Sequence, residues 1–177
     1  MNSKGFTLVE LLITLAVLAI LATMALPSFS DLLRRQQVNG EANALFSMLY
    51  LARSEAIKRS SIVTICKSSD GQDCGGQWSD GWLMFADQNK DGVLNASEEV
   101  VARSKISDAI AVGWIAFGSN NYIRFTPRGM TLAQNGTFTI CPDNADIAIA
   151  RAVVLSKTAR VRIPPAGENG AGEALVC

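Results

Sequence analysis

The sequence contains no histidine, and this absence removes several classes of enzyme. Imidazole base catalysis, serine–histidine triads and histidine-ligated zinc sites all need that side chain. The 16 basic and 16 acidic residues cancel, so no overall field draws the chain toward nucleic acid. Serine, aspartate and lysine are present, but they are not spaced as a catalytic set, and no glycine-rich loop could cradle a phosphate. The sequence therefore predicts a protein that is not an enzyme and has no catalytic residues.

The sequence also lacks a C-x-x-C pair of cysteines. This disfavours a zinc ribbon and a thioredoxin-type redox site. The four are Cys66, Cys74, Cys141 and Cys177. An even number behind an export-like start is typical of two disulfides in an oxidising compartment. Of the three pairings, loop closure favours Cys66 with Cys74, which leaves Cys141 with Cys177; the alternative is four buried thiols.

A long apolar run follows the first five residues. Residues 6–26, FTLVELLITLAVLAILATMAL, include only three threonines and one glutamate among apolar side chains. As a helix this run is about 31 Å long, which matches the apolar core of a bilayer. A buried core helix would not be apolar on all sides, and Pro27-Ser28-Phe29 is a poor cleavage site for a secretory signal. The run predicts a retained membrane anchor, in which Glu10 needs a partner because an intramembrane carboxylate costs roughly 2.5–3.5 kcal/mol.

The start of the chain, KGFTLVELLITLAVLAIL, resembles the type III signal of type IV pilins and type II secretion pseudopilins. The resemblance implies that prepilin peptidase cleaves between Gly5 and Phe6, and that Phe6 is then N-methylated. It also implies that Glu10 helps to seat each subunit against the Phe6 amine of its neighbour. A buried ammonium and a buried carboxylate are each costly alone and less so as a pair.

The same resemblance implies a location. It predicts a single-pass protein of the bacterial inner membrane with a periplasmic head, which later enters a pilus or pseudopilus. A count of the charges that flank the span predicts instead that the C-terminal part lies in the cytoplasm, because Lys4 precedes the span while Arg34 and Arg35 follow it. The cysteines and the signal sequence outweigh that count. The implied partners are prepilin peptidase, inner-membrane lipid before assembly, and other minor and major pilins or pseudopilins.

Beyond the anchor the sequence predicts an α+β fold. Apolar residues at steps of three and four extend the helix to about Lys58, and they are Val38, Ala42, Leu45, Leu49, Ala52 and Ala56. Short β-rich runs follow at 62–66, 82–85, 100–104, 110–117, 122–126, 137–141, 152–155 and 160–163. Helix first and strands afterwards predicts an antiparallel sheet packed on the helix. The expected domains are a leader (1–5), a membrane-spanning helix half (6–26), an amphipathic half (27–60) and a β-rich head (61–177).

Three internal segments resemble the GspH/FimT-type minor pilins and pseudopilins. They are LARSEAIKRSSIVTIC, QWSDGWLMFADQNKDGVLNASEEVV and VVLSKTARVRI. This resemblance implies a minor type IV pilin of the FimU/FimT kind, which primes assembly, lies at or near the fibre tip and supports twitching motility or adhesion. One alternative is the GspH-like minor pseudopilin of a type II secretion system, and another is a DNA-binding pilin for DNA uptake.

One segment of the head has the spacing of a calcium-binding loop. Residues 87–98, DQNKDGVLNASE, satisfy D-x-[DN]-x-[DN]-G-x₅-E. Asp87, Asn89, Asp91 and Glu98 could supply oxygen ligands, with Gly92 at the sharp turn. The flanking segments are strand-like and not the two helices of an EF-hand. The alternative is an Asx-rich hairpin loop with no cofactor, in which these residues serve the turn itself.

A short basic segment near the C-terminus contains Lys157, Arg160 and Arg162. It resembles the G-R-x-R motif of competence-linked, DNA-binding members, with Ala159 in place of the glycine. In a strand, Arg160 and Arg162 would share one face and could contact phosphates. The alternative is an ordinary solvated strand face.

Overall fold

The structure, a computed structural model, describes residues 7–177, without the side chains of residues 24–28. The predicted cleavage site between Gly5 and Phe6 lies outside the described residues. The chain divides into two units, residues 1–36 and residues 37–177, here called the N-terminal and C-terminal units. Helix α1, Leu8–Arg59, begins in the first and ends in the second.

The described part of α1 in the N-terminal unit is apolar and exposed. Its large apolar side chains between Leu8 and Leu21 are each between 50% and 75% exposed. Within the described residues, no helix has a stretch both long and apolar enough to cross a membrane. The predicted span at residues 6–26 extends beyond what is described, because it includes Phe6 and the side chains of residues 24–26. The span therefore stays a prediction.

In the C-terminal unit, α1 buries the predicted stripe. All six apolar residues that predicted the helix, together with Met48, are at most 2% exposed. The helix ends at Arg59, one residue beyond the predicted end. Ser60 follows with φ of 52°, a left-handed backbone at the position after a helix that commonly ends it. The Ser61 amide then bonds back to the Ala56 carbonyl at 3.3 Å.

Eight strands follow the helix, and all pair antiparallel. They are β1 Val63–Lys67, β2 Gly81–Ala86, β3 Val100–Lys105, β4 Ile110–Phe117, β5 Tyr122–Phe125, β6 Asn135–Pro142, β7 Arg151–Leu155 and β8 Val161–Arg162. Each predicted strand is found, with bounds within two residues of the prediction. The strands form two four-stranded sheets and not one: sheet A has the order β3-β2-β1-β5, and sheet B has the order β4-β6-β7-β8. The predicted α+β fold is confirmed.

The core lies where α1 and the inner faces of the two sheets meet. Phe138 of β6 is fully buried and packs against Trp114 of β4 with ring centroids 4.3 Å apart, and edge-on against Trp78 at 5.1 Å. On β4, buried side chains alternate with more exposed ones, as expected for a sheet with one covered face. The buried face of β4 therefore belongs to the core that it shares with α1.

The other face of sheet A is also covered, and this positions the candidate calcium loop. Every residue of β2 is buried. Leu83 and Phe85 of that strand pack with Cys66, while Leu94 from the 87–98 loop and Tyr122 of β5 lie against them. The loop therefore folds back over the sheet and is anchored by its own apolar side chain.

Both expected disulfides are present. Cys66 pairs with Cys74, and Cys141 pairs with Cys177. The second bond fastens the C-terminal tail, whose Leu175 is buried against Cys141, Ala150 and Ala152. The disulfide prediction is confirmed, and the alternative of four free thiols is wrong.

Candidate functional site

The first candidate site is the start of α1, where Thr7 and Glu10 bond to each other. Glu10 Oε2 accepts a hydrogen bond from the Thr7 backbone amide at 3.1 Å and another from Thr7 Oγ1 at 3.0 Å. Thr7 Oγ1 accepts in turn from the Glu10 amide at 3.3 Å. This reciprocal pattern is a capping box, which satisfies two amides that a helix start otherwise leaves unpaired. This role of Thr7 was not predicted, although the T-x-x-E spacing was a sufficient signal for it.

The surroundings of Glu10 define what this site can do. Leu8, Val9, Leu11 and Leu12 next to it are each more than half exposed. One carboxylate therefore lies in an apolar helix surface that the described residues of the unit do not cover. Such a surface suits lipid or the apolar helices of other subunits. A cationic group presented there would meet a single oriented acceptor.

The second candidate site is the 87–98 loop, and Asp87 is its most buried carboxylate. Asp87 is fully buried. Its Oδ2 accepts from Thr64 Oγ1 at 2.6 Å and from the Gly92 amide at 3.1 Å. Its Oδ1 is also buried and has no hydrogen-bond partner. Gly92 has a φ of 78°, which glycine adopts without strain and which makes the sharp turn that brings its amide to Asp87.

The remaining predicted ligands lie on the same loop and bond mainly to it. Asp91 Oδ1 accepts from the Val93 amide at 2.8 Å, and its Oδ2 accepts from the side chains of Asn89 and Asn95 at 2.7 and 3.2 Å. The bond from Val93, helped by that from Asn95, lowers the pKa of Asp91 below its ordinary value. Glu98 accepts from the amide of Gln88 at 2.8 Å.

These bonds supply each carboxylate of the loop with protein donors. Among the described residues, no three histidine, cysteine, aspartate or glutamate side chains are grouped closely enough to hold a metal ion. The predicted ligands therefore share one loop without forming such a group, and calcium binding stays a prediction.

The third candidate site is the basic segment. Arg160 precedes β8 and lies in a tight turn, where its amide bonds to Ser156 Oγ at 3.1 Å. Arg162 lies in β8, and its guanidinium donates to the Gly170 carbonyl of the C-terminal tail. Both arginines and Lys157 are exposed. Ala159 has a φ of 55°, so this position has a left-handed backbone that glycine would accept more easily.

A further cation joins this segment from the helix. Arg53 of α1 donates to the Ala159 carbonyl at 3.2 Å. In the described part of the chain, no carboxylate forms an ion pair with Arg53, Lys157 or Arg160. The contact of Arg53 was not predicted, because 106 residues separate it from Ala159 and no local pattern links the two.

A different set of charges fixes the end of α1. Arg59 donates to Glu55 at 2.7 Å and forms a double contact with Glu99, at 2.7 and 3.0 Å, just before β3. The hydrogen bond from Arg59 is the main cause that lowers the pKa of each carboxyl, Glu55 and Glu99. The Arg59 guanidinium therefore joins the end of α1 to the start of β3, through two carboxylates.

Comparison with known protein families decides the class. Residues 1–26 match the prokaryotic N-terminal methylation motif. Residues 41–164, which are 124 of the 177, match the family described as type II transport protein GspH. The chain belongs to the GspH family. As a member of this family of pilins and pseudopilins it is a structural subunit and not an enzyme.

Individual relatives of this GspH-family protein cover most of its length. It is 28% identical over 179 residues to the pilin-like protein PilA1 of Thermus thermophilus, which covers 92% of this chain and 99% of the relative. The type IV minor pilin FimU of Pseudomonas aeruginosa matches with a TM-score of 0.55 and 22% identity over 74% of this chain and 90% of that one. The minor pseudopilin EpsH of the Vibrio cholerae type 2 secretion system matches with the same TM-score of 0.55 and 11% identity, over 73% and 97%. These two structures show that the fold is shared.

Family membership also confirms the coarser predictions. This GspH-family protein is a minor pilin or pseudopilin of a type IV pilus or a type II secretion system. Its class implies processing by prepilin peptidase and assembly with other pilins. Its prepilin-type start implies anchoring in the inner membrane and incorporation into a pilus or pseudopilus.

Proposed function

We propose that this protein is a minor type IV pilin that primes pilus assembly and lies at or near the fibre tip, where it supports twitching motility or adhesion. In this proposal residues 1–5 are the leader, Phe6 is the methylated first residue, and residues 6–26 span the inner membrane before assembly. The C-terminal unit stays in the periplasm until the subunit enters the fibre.

The observation that carries the proposal is the exposed apolar helix with one capped carboxylate. The large apolar side chains of Leu8–Leu21 remain at least half exposed, so burying them stabilises any state that places them among lipid or other helices. The same surface can therefore leave the bilayer and enter a fibre core with little net change in apolar burial. Glu10 differs from its neighbours because its carboxylate is costly in an apolar environment, and a cation placed beside it lowers that free-energy cost.

The mechanism follows from this difference. In the bilayer, the capping box supplies Glu10 with hydrogen bonds from uncharged donors of Thr7. During assembly, the methylated amine of Phe6 on a neighbouring subunit would supply an opposite charge and fix the axial position of the incoming helix. The C-terminal unit would then decide which subunit docks next. The relation to a pilin-like protein along 92% of the chain supports the pilus over the pseudopilus.

A deletion strain tests this role against the pseudopilin alternative. Deleting the protein from its bacterium should reduce sheared surface fibres at least tenfold while type II export of proteins continues, and a plasmid copy should restore the fibres. In the restored strain the protein should be far less abundant in fibres than the major pilin. Normal fibres with lost protein export would contradict the proposal and favour the minor pseudopilin.

A second candidate function is DNA binding by the cluster of Arg53, Lys157 and Arg160. The specific observation in its favour is that Arg53 donates to the Ala159 carbonyl, within the segment that contains Lys157 and Arg160. In the described part of the chain, no carboxylate forms an ion pair with any of these three cations. Three phosphate contacts would give a slope of about −2.7 for log K against log salt concentration. Gel shifts of the full chain in detergent should show that slope, and Arg160→Ala should reduce it by about one while the control Arg103→Ala, on sheet A, leaves it unchanged. A slope near zero would remove this candidate.

A further inference from the structure

The 87–98 loop has oxygen atoms at every position that a calcium loop uses. Side chains supply them at the first, third, fifth, ninth and twelfth positions, and a backbone carbonyl supplies the seventh. In order these are Asp87, Asn89, Asp91, the Val93 carbonyl, Asn95 and Glu98. Spacing alone would not make this a site, because an Asx-rich hairpin has similar residues. Two features of the structure go beyond the spacing.

The first feature is the unpartnered oxygen of Asp87. This residue is fully buried, and its Oδ1 has no hydrogen-bond partner. Its other oxygen accepts from the Gly92 amide across the loop and from Thr64 of β1, so the carboxylate lies between the loop and sheet A. Buried polar atoms are nearly always satisfied, and a buried unpaired carboxylate oxygen is among the costliest exceptions. A hard cation bound within the loop would supply the missing partner.

The second feature is the convergence of three oxygens on one nitrogen. Asn95 Nδ2 lies 2.9 Å from the Val93 carbonyl, 3.2 Å from Asp91 Oδ2 and 3.4 Å from Glu98 Oε2. These are the oxygens of the seventh, fifth and twelfth positions. An amide NH₂ carries partial positive charge, and it gathers the oxygens that a cation would gather. Asn89 Nδ2 does the same at 2.7 Å from Asp91 Oδ2.

We propose that the 87–98 loop is a calcium-binding site. On binding, the side chains of Asn89 and Asn95 turn over, so that their oxygens face the ion in place of their nitrogens. Glu98 leaves the Gln88 amide and binds the ion with its carboxylate, and Asp87 binds through Oδ1. The described carboxylates do not form a metal-holding group in their present positions, so Asp91 and Glu98 must move inward. Asp91 is exposed and on a turn, which permits this movement.

Calcium fits this site better than magnesium. The six oxygens come from one loop of mixed carboxylates, amides and a carbonyl, and calcium accepts irregular coordination by six to eight oxygens. Magnesium requires a near-ideal octahedron and gives up its waters reluctantly. Extracellular calcium modules bind at about 10⁻⁴–10⁻³ M, and we expect this site in that range. The inference does not depend on which fibre the protein joins.

Calorimetry on the full chain in detergent tests the site. Chelator-treated protein should bind one Ca²⁺ per chain with a Kd of about 10⁻³ M or tighter. Glu98→Gln should weaken binding at least tenfold, because it removes the bidentate ligand. The matched control is Asp108→Asn, an exposed carboxylate outside the loop, and it should bind as the wild type does. Magnesium at the same concentrations should give a binding signal at least tenfold weaker.

Thermal unfolding gives an independent result at the buried ligand. Calcium should raise the Tm of the wild type and of Asp108→Asn, because a ligand bound only by the folded state stabilises it. Asp87→Asn should abolish that rise. Its Tm in chelator should equal or exceed that of the wild type, because the substitution removes an unpaired buried charge. No heat and no Tm rise at about 10 mM Ca²⁺, tenfold above the weakest expected Kd, would overturn the proposal. An equal calcium response in Glu98→Gln and the control would do the same.

Discussion

Three substitutions can separate the effect of the Glu10 charge from the effect of its hydrogen bonds as a helix cap. Glu10→Gln removes the charge but keeps an oxygen that can accept from Thr7. Thr7→Ala keeps the charge and removes the hydroxyl that donates at 3.0 Å and accepts at 3.3 Å. Glu10→Ala removes both. All three variants should be cleaved after Gly5 and inserted into the membrane, because removing a costly intramembrane carboxylate does not impede residence there.

The expected magnitudes differ enough to be measured. Losing a threonine N-cap costs about 1 kcal/mol, which is a factor of about five in an equilibrium constant. Losing one partner of a buried ion pair costs about 3–5 kcal/mol, because the other charge stays buried. At 1.4 kcal/mol per tenfold this is a reduction of roughly a hundredfold or more. Thr7→Ala should therefore enter fibres within about fivefold of wild type, while Glu10→Gln should be nearly absent from them.

The assay compares each variant in sheared fibres with the same variant in membranes. Mass spectrometry of the membrane fraction should find a methylated Phe6 in each, which controls for processing. Normal incorporation of Glu10→Gln, with failure of both Thr7→Ala and Glu10→Ala, would mean that Glu10 acts as a helix cap. The pairing mechanism proposed above would then be wrong.

Two further outcomes concern stability. The chain-entropy relation gives a stabilisation of about 3.8 kcal/mol for Cys141–Cys177, with a separation of 36, and about 2.5 kcal/mol for Cys66–Cys74, with a separation of 8. Urea unfolding of the two double alanine variants should therefore show the larger loss of stability for Cys141–Cys177. The reverse order would contradict the relation. Arg59 lowers the pKa of Glu55 and Glu99 below their ordinary value of 4.5, so its stabilisation is complete above that pH and lost as pH falls through the lowered values. The Tm difference between wild type and Arg59→Gln should therefore shrink between about pH 5 and pH 3, and a constant difference would refute the assignment.

Much of the fold could be predicted from the sequence because its signals are local. The apolar stripe from Val38 to Ala56 has the period of a helix, and each strand is a β-rich run bounded by turn residues. The pairing of Cys66 with Cys74 follows from a short loop. The division into two sheets could not be predicted this way. It depends on β5 pairing with β1 in sheet A, although β4, which precedes β5 in the chain, belongs to sheet B. Such non-local pairings have no sequence period.

The candidate sites likewise combine local sequence patterns, which could be predicted, with non-local contacts, which could not. The calcium spacing and the signal around Glu10 are local patterns, and both could be found in the sequence. The contact of Arg53 with Ala159 and the contact of Thr64 with Asp87 join distant segments, and only the fold brings them together. Both contacts change the chemistry of a locally predicted site. Thr64 bonds to one oxygen of Asp87, whose other oxygen has no partner. Arg53 adds a cation to the basic segment that was predicted at Lys157, Arg160 and Arg162. Each of these two candidate sites was therefore predicted from a local motif, while a contact from another part of the chain, Thr64 in one and Arg53 in the other, could be found only in the structure.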